Sequence, residues 1–444
     1  MAPRKRMFFS PGRTVLLSIF LTICLGTVLL MLPGAQKVPI ALLDCFFTAT
    51  AATCVTGVLT IPFDSFTLFG KSIILVLIQI GGIGLLTLSL FLISLFFNLG
   101  LATQLMIGQV LELETWKNTR HILFFIIALT LLIESLGALS IYFFISPYYS
   151  HSEALFHALF HSISSFCNAG LSSFGHSMIP FTYNIPMLAI TGFLVLSGGL
   201  GFMTWYELFI YFKRKLNRKR YTFSLTTKVI VTMTIISLVV GTFFLLVLEA
   251  PTHFGNSSWL IAISNMVFNA ITYRSTGLTS IDITTLHTAT VFMIIMYSFI
   301  GSSPGSTGSG IKVTTFAIFL ATIRSVIIGR MVVELKGRRI PQDQVFKAMA
   351  VLALSIFWVI VSTFFLLLTE PNSKFISIFF EAVSSFTNLG LATDITPYLS
   401  TLGKLIIIAN MFIGRVGSLT MLLALKTRHE KVEFQYPEER LMMS

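Results

Sequence analysis

Residues 301–312, GSSPGSTGSGIK, have the residue types of a phosphate-binding loop. Gly305 and Gly310 have four residues between them and Lys312 follows, whereas a phosphate loop has the pattern G-x-x-x-x-G-K-[ST]. The inserted Ile311 displaces the lysine and no predicted strand precedes the first glycine, so the context does not support nucleotide binding. The stretch lies between two apolar runs, ATVFMIIMYSF and VTTFAIFLA, which places small and helix-breaking residues at membrane depth.

The composition is that of an integral membrane protein. The chain has 444 residues, of which 55% are apolar and 11% charged, whereas soluble domains have about 25% charged residues. A membrane-spanning helix needs about 20 apolar residues. Eight such runs are predicted, at 14–33, 71–97, 122–146, 185–212, 226–249, 289–328, 348–368 and 402–425.

The basic residues predict the orientation. Seven Lys or Arg lie in KRKLNRKRYTFSLTTK, residues 213–228, and more lie in 324–347, whereas 146–184 has none. The positive-inside rule therefore predicts that both termini and the basic loops are cytoplasmic. The net charge of +12 is explained by topology and contact with the lipid bilayer, and no soluble basic domain is available to bind nucleic acid.

Between odd and even spans the same short unit recurs four times. Each copy is a moderately apolar stretch that ends in a glycine motif, and the motif glycines recur at intervals of 113, 107 and 113 residues: Gly57, Gly170, Gly277 and Gly390. A fixed period indicates internal repeats. Cytoplasmic basic charge precedes each copy, so the four are parallel repeats about an axis along the membrane normal. The predicted segments are a cytoplasmic N-terminus 1–13, repeat 1 at 14–97, repeat 2 at 98–212, repeat 3 at 213–328, repeat 4 at 329–425 and a cytoplasmic tail 426–444.

The short segments are predicted to be re-entrant half-helices. An apolar stretch of about 10–14 residues cannot span the bilayer, and irregular backbone at membrane depth must be buried in protein or line a wet cavity. Four such returns around one axis predict a ring of backbone carbonyls, which can replace the hydration shell of a cation. We therefore predict an all-α integral membrane protein with four span–pore-loop–span repeats, eight transmembrane helices and four half-helices around one central pore.

These motifs together resemble the Trk/Ktr/HKT superfamily of cation transporters, over residues 14–425. The likeness is carried by ATCVTG, YRSTGL, QIGGIG, LSGGLG, FIGSSPGSTGSGIK and FIGRVGSLT, and it is greatest to the membrane subunit of Ktr systems. The resemblance implies a potassium-binding filter made of backbone carbonyls. By match to the family motif, the filter residues are Val55, Thr56, Gly57, Asn168, Ala169, Gly170, Ser275, Thr276, Gly277, Asn388, Leu389 and Gly390. A Ser at the first filter glycine goes with sodium transport in plant members, so Gly57 favours potassium.

The resemblance also assigns the opening stretch. In the family the matching segment is an intramembrane loop that obstructs the pore below the filter and moves to let ions pass. Arg415, mid-helix in repeat 4, matches a family arginine beside this loop; it is expected to oppose cations in the closed pore, with structural bonding to loop carbonyls as the alternative. The residues assigned to the gate are Gly301, Ser302, Ser303, Pro304, Gly305, Ser306, Thr307, Gly308, Ser309, Gly310, Lys312 and Arg415. Lys312 is left open between snorkelling to the cytoplasm and binding the loop.

Potassium uptake across a bacterial cell membrane is the predicted function, with potassium as substrate, sodium as a candidate activator and no nucleotide bound by this chain. The resemblance implies a homodimer controlled by a separate cytosolic ring of nucleotide-binding subunits. The absence of a catalytic cluster argues against an enzyme. The alternatives are a sodium- or proton-coupled transporter and a sodium-conducting member of the family. Only the second helix of repeat 3 is expected to be broken, and few carboxylates, Glu134 and Glu381 among them, are expected at membrane depth.

Overall fold

The structure is a computed structural model that describes residues 11–84, 87, 119–255, 257–393 and 395–417. The predicted tail 426–444 and residues 1–10 of the predicted N-terminus lie outside the described residues. So do residues 418–425 of the last predicted span and, except for Thr87, the end of the second predicted span from residue 85 onward.

Helices dominate the described residues, in the order that the sequence predicts. The first two repeats contain α1 (Pro11–Leu30), α2 (Leu42–Thr53), α3 (Leu68–Ile83), α4 (Thr119–Ile145), α5 (His151–Phe166), α6 (Ile185–Gly199) and α7 (Phe202–Leu216). The last two contain α8 (Leu225–Leu248), the short α9 (Ala250–Phe254), α10 (Trp259–Thr272), α11 (Thr288–Ser298), α12 (Val313–Ile327), α13 (Gln342–Thr369), α14 (Phe375–Thr387) and α15 (Thr401–Val416). A small antiparallel hairpin of β1 (Glu334–Leu335) and β2 (Arg338–Arg339) joins α12 to α13.

The first helix of each repeat is long enough to cross a membrane by itself. Within the described residues, α1, α4, α8 and α13 contain apolar windows with a mean hydropathy of 2.1 to 2.6. Only 28–44% of these windows is buried inside the protein, so most of their apolar surface faces outward, as a lipid-facing helix requires. The prediction of an all-α integral membrane protein is confirmed.

The half-helices lie between the two long elements of each repeat. They have 12, 16, 14 and 13 residues in α2, α5, α10 and α14, which is shorter than the roughly 20 residues of a full span. The start of α5 carries a capping box, in which Ser150 and Glu153 satisfy each other's backbone N–H groups. The C-terminal halves of the four half-helices are largely buried, so each half-helix ends inside the protein and not at its surface.

The sequence predicts a break only in the second helix of repeat 3. This prediction is wrong for repeat 2, whose second helix is also broken. There the chain bends by 100° between α6 and α7, at Gly201, whose φ is +87°. The same φ of +87° occurs at Gly84 and Gly417, which directly follow α3 and α15. Glycine adopts a left-handed backbone conformation at little energetic cost. The backbone N–H and C=O groups freed at such a break need hydrogen-bond partners. At the bend of repeat 2, the carbonyl of Ser197 accepts a bond of 2.9 Å from Trp205 Nε1.

Among the second helices that the structure describes on both sides of a break, that of repeat 3 has the longer interruption. Residues 299–312, which we call the repeat-3 loop, separate α11 from α12. Pro304 and the glycines of this loop prevent a continuous helix, because proline has no N–H to donate and glycine is a poor helix former. This break is where the sequence predicts it.

Contacts between the first and last repeats close the molecule. Lys404 on α15 pairs with Asp44 on α2 at 2.6 Å, and Asp44 also accepts a bond of 2.7 Å from Thr60. Both charged side chains are about 15% exposed. The pair fixes the end of repeat 4 against the half-helix of repeat 1 and brings the fourth glycine motif beside the first.

Candidate functional site

The four glycine motifs form a closed ring. A Cβ built on any of the four motif glycines would collide with the carbonyl oxygen of the residue before the glycine in the next repeat, so the motif backbones are in direct contact. Repeat 1 contacts repeat 2, repeat 2 contacts repeat 3, repeat 3 contacts repeat 4, and repeat 4 contacts repeat 1. The contacting pairs are Gly57 with Ala169, Gly170 with Thr276, Gly277 with Leu389, and Gly390 with Thr56.

The backbone angles explain why glycine stands at these positions. The four motif glycines have φ between +71° and +89°, a region that other residues rarely adopt. In repeats 1, 2 and 4 the residue two before the glycine is also left-handed, with φ of +59° at Val55, +60° at Asn168 and +53° at Asn388. Asparagine tolerates this conformation, whereas a β-branched valine does so only under constraint from its surroundings. The corresponding Ser275 has an ordinary negative φ, so repeat 3 departs from the other three.

Two buried asparagines link neighbouring motifs through their side chains. Asn168 Oδ1 accepts bonds from Thr276 Oγ1 at 2.6 Å and from Ser275 Oγ at 2.9 Å, which joins repeat 2 to repeat 3. Asn388 Oδ1 accepts a bond from Thr56 Oγ1, which joins repeat 4 to repeat 1. All of these side chains are at most 3% exposed. Such bonds hold the backbones of neighbouring motifs in a fixed arrangement.

The repeat-3 loop is bound to the break of repeat 2. Ser303 N–H donates to Gly199 O at 3.0 Å and Thr307 N–H donates to Gly198 O at 3.2 Å. In return, Phe202 N–H donates to Gly305 O at 2.9 Å. The broken ends of α6 and α7 thus exchange backbone bonds with the loop, which satisfies carbonyls that a helix terminus leaves free.

Thr307 connects this loop to the ring. Its Oγ1 donates to Phe166 O at 2.9 Å and accepts from Asn168 Nδ2 at 2.9 Å. Because Asn168 also holds Thr276, a single side chain joins the loop to the motifs of repeats 2 and 3. Ser302, Ser303 and Thr307 are fully buried, while residues 304–306 are partly exposed.

Arg415 on α15 also binds the repeat-3 loop. Its Nη1 donates to Thr307 O at 2.6 Å and to Ser309 Oγ at 2.8 Å, and its Nη2 donates to Gly81 O. The structural alternative for Arg415, bonding to the loop backbone, is therefore present in this structure. Lys312 Nζ donates to Gly308 O at 2.9 Å. In this structure Lys312 therefore binds the loop, which is one of the two alternatives left open by the sequence.

The membrane-depth carboxylates lie outside the ring. Glu134 accepts a bond of 2.9 Å from Gln79 Nε2 and is 5% exposed. Glu381 accepts bonds from Thr393 N–H at 2.7 Å and from Thr396 Oγ1 at 2.6 Å. Both carboxylates thus have bonding partners within the protein. Among the described residues no group of three His, Cys, Asp or Glu side chains is arranged to hold a metal ion.

The structure brings together all twelve residues assigned to the filter and places the loop and Arg415 next to them. Sequence reasoning missed Arg274, which lies between α10 and Ser275, a residue assigned to the filter, and is 2% exposed. The signal was available, because an arginine stands three residues before the motif glycine only in repeat 3. The corresponding residues in the other repeats are Cys54, Cys167 and Thr387.

Residues 16–435 match the sequence profile of TrkH, described as a cation transport protein. The chain belongs to the TrkH family. The resemblance drawn from the motifs is thereby confirmed, and so is the prediction that the chain is a transport protein and not an enzyme.

Curated relatives in this family match over their whole length. The Ktr system potassium uptake protein B of Bacillus subtilis is 33% identical over 434 residues, which cover 97% of this chain and 96% of the relative. The Ktr system potassium uptake protein D of the same species is 34% identical over 442 residues, covering 98% and 97%. The potassium/sodium uptake protein NtpJ of Enterococcus hirae is 29% identical over 457 residues, covering 100% and 99%.

A solved structure has the same fold. The crystal structure of the potassium transporter TrkH from Vibrio parahaemolyticus superposes with a TM-score of 0.73 at 19% identity. The alignment covers 96% of this chain and 87% of that chain. The two proteins therefore share an overall fold.

Proposed function

We propose that this chain is the pore-forming subunit of a potassium uptake system in a bacterial cell membrane. The observation that carries the proposal is the closed ring of four glycine motifs, in which every glycine contacts a carbonyl of the next repeat. A ring of carbonyls suits a dehydrated monovalent cation, since it replaces water ligands without adding a fixed charge. The names of the Bacillus relatives, both potassium uptake proteins of Ktr systems, support potassium as the substrate.

We further propose that the repeat-3 loop is the gate. The loop is held by backbone bonds to Gly198 and Gly199 and by the guanidinium of Arg415, and its central residues are partly exposed. An element that moves must exchange such bonds for water, and short polar residues allow this at low cost. In the docked position Arg415 adds a positive charge that opposes cations near the loop.

The assembly is also part of the proposal. The relatives are lettered components of a Ktr system, so we propose that this chain works with other components, namely a second copy and a cytosolic nucleotide-binding regulator. The orientation that fits has both termini and the basic hairpin between α12 and α13 in the cytoplasm, because this hairpin carries Lys336, Arg338 and Arg339.

Ion flux in proteoliposomes containing the full chain tests the ring. The variant Gly170→Ala adds a Cβ that collides with Thr276 O at a residue with φ of +71°. The matched control is Gly175→Ala, because Gly175 also has a positive φ, +78°, but has open space around it. In the parent chain we expect potassium to flow down its own gradient. Gly170→Ala should lower this flux sharply, and Gly175→Ala should leave it unchanged. Equal flux in the two variants at equal folded fraction would contradict a pore through the ring.

A second candidate function is sodium conduction, which the name of the Enterococcus relative favours, since it is a potassium/sodium uptake protein. The same vesicles distinguish the candidates when sodium replaces potassium. Flux that appears only with an added sodium or proton gradient would point to activation or coupling by that ion, and reversing the added gradient would separate these two, because only a coupled transporter reverses its net flux.

A further inference from the structure

Arg274 is a buried arginine that the proposed function does not use. It follows α10 by two residues and directly precedes the filter motif of repeat 3. The corresponding residues of the other repeats are Cys54, Cys167 and Thr387, all small and uncharged. Repeat 3 therefore differs from the other repeats in this arginine and in the backbone angle at Ser275, and it differs from repeat 2 in the length of its loop.

The guanidinium of Arg274 is weakly bonded. Its Nη1 is 3.5 Å from Ser237 Oγ, at the limit of a hydrogen bond, and its buried Nε has no partner among the described residues. None of the ion pairs formed within the described ranges includes it. Burying a charge without a counter-charge is strongly unfavourable, so another favourable interaction is needed to keep the arginine in place.

Two helix ends supply that interaction. Arg274 lies just beyond the C-terminus of α10, and its Nη2 is 3.4 Å from the position that a Cβ on Gly199 would occupy, at the C-terminus of α6. The C-terminal end of a helix carries a partial negative charge that attracts cations, most strongly where water is excluded. Arg274 therefore lies near two helix C-termini, that of its own half-helix and the broken end of α6.

The broken end of α6 is also where the repeat-3 loop is bound. Gly198 and Gly199 accept the N–H groups of Thr307 and Ser303. The Cβ position of Gly199 lies 3.4 Å from Arg274 Nη2 and 3.9 Å from Ser302 Cβ, so this glycine is held between the guanidinium and the loop. Because Gly199 has no side chain, nothing of its own separates its backbone, which binds the loop, from the guanidinium of Arg274.

We infer that Arg274 is a positioning residue of the gate, which holds the end of α6 so that its free carbonyls bind the docked repeat-3 loop. The inference rests on the proposed role of that loop. Two arginines then act on the docked loop: Arg415 bonds directly to Thr307 O, and Arg274 lies beside Gly199, whose carbonyl accepts Ser303 N–H.

The test measures loop release separately from flux. Ser306→Cys introduces a thiol at the partly exposed centre of the loop, and its rate of modification by a membrane-impermeant thiol reagent reports displacement of the loop. The rate is measured for the full chain in proteoliposomes, with the chain that retains Ser306 giving the background from the native cysteines. The rate is then compared after adding Arg274→Met, Arg274→Lys or Arg415→Gln, and potassium flux is recorded for the same arginine variants without Ser306→Cys.

We expect Arg274→Met to raise the modification rate about fivefold or more, the lower end of typical coupling between sites. The maximal flux should rise while the potassium concentration for half-maximal flux stays unchanged. Arg274→Lys, which keeps the charge at the helix ends, should stay closer to the parent chain.

Three results would decide against the inference. A lower half-saturating potassium concentration with unchanged loop accessibility would mean that Arg274 acts on the filter by its charge. Equal effects of Met and Lys would mean that its charge is irrelevant. If Arg415→Gln raises accessibility and flux but Arg274→Met raises neither, the inference fails and the gate stands; if neither variant changes them, the proposed gate fails as well.

Discussion

Thr307 gives the sharpest test of how the loop is held. In the variant Thr307→Val the side chain keeps its shape but loses the bonds to Phe166 O and Asn168 Nδ2, each 2.9 Å long. A neutral buried hydrogen bond contributes about 0.5–1.5 kcal/mol. Asn168 Nδ2 remains near Phe166 O and Val195 O, at 3.2 and 3.4 Å, so no donor is orphaned and the net loss is about 1–2 kcal/mol.

The direction of the change in flux depends on which position of the loop these bonds stabilise. They stabilise the docked loop only, so their loss favours the displaced loop by a factor of about 5–30. If the loop is the gate, Thr307→Val raises the initial rate of potassium flux toward that of the fully open pore, with the preference for potassium over sodium unchanged. The assay is flux per mole of reconstituted full chain at a fixed potassium gradient.

Ser306→Ala is the matched control. Ser306 Oγ donates to Ser303 O at 2.6 Å, a bond within the loop that does not connect it to the rest of the protein. Unchanged or lower flux in Thr307→Val at equal folded fraction, or an equal rise in Ser306→Ala, would refute the reasoning that bonds from the loop to repeat 2 keep it docked.

Three more variants test other parts of the site. Gly57→Ser should admit more sodium, measured as the ratio of sodium to potassium flux, because it changes the filter at the position that the family associates with sodium; an unchanged ratio would count against the filter assignment. Deleting residues 305–310 should raise flux if the loop obstructs the pore, whereas lost flux with intact folding would indicate a structural role. Glu381→Ala should lower the free energy of unfolding by about 1–3 kcal/mol because Thr393 N–H loses its acceptor; Glu381→Gln keeps an acceptor, so equal thermal denaturation of the two variants in detergent would argue against this bond.

Much of this architecture could be predicted because it depends on local sequence patterns. Apolar runs identify the spans, and the repeated glycines identify the half-helices and their order around the ring. The interruption at 299–312 is also local, since Pro304 and its neighbouring glycines cannot continue a helix.

Other features depend on contacts between repeats and could not be predicted. The sequence Gly-Gly-Leu-Gly at 198–201 is compatible with a helix, and the bend of 100° is observed where the freed carbonyls find partners in the repeat-3 loop. The bond from Asn168 to Thr307 joins residues 139 positions apart, and no local signal pairs them. The identity of the arginine at 274 was visible, but its position against Gly199 was not.

The bond between Thr56 and Asn388 joins residues 332 positions apart, which has a consequence for biogenesis. Membrane chains are made and inserted from the N-terminus, so the first motif waits for almost the entire chain before its last neighbour exists. The two contacts of the fourth motif, with the third and with the first, are therefore the last to form, and a ribosome-bound chain that stops short of Asn388 has only three of the four motifs. On the proposed function, completing translation is also what completes the ion path.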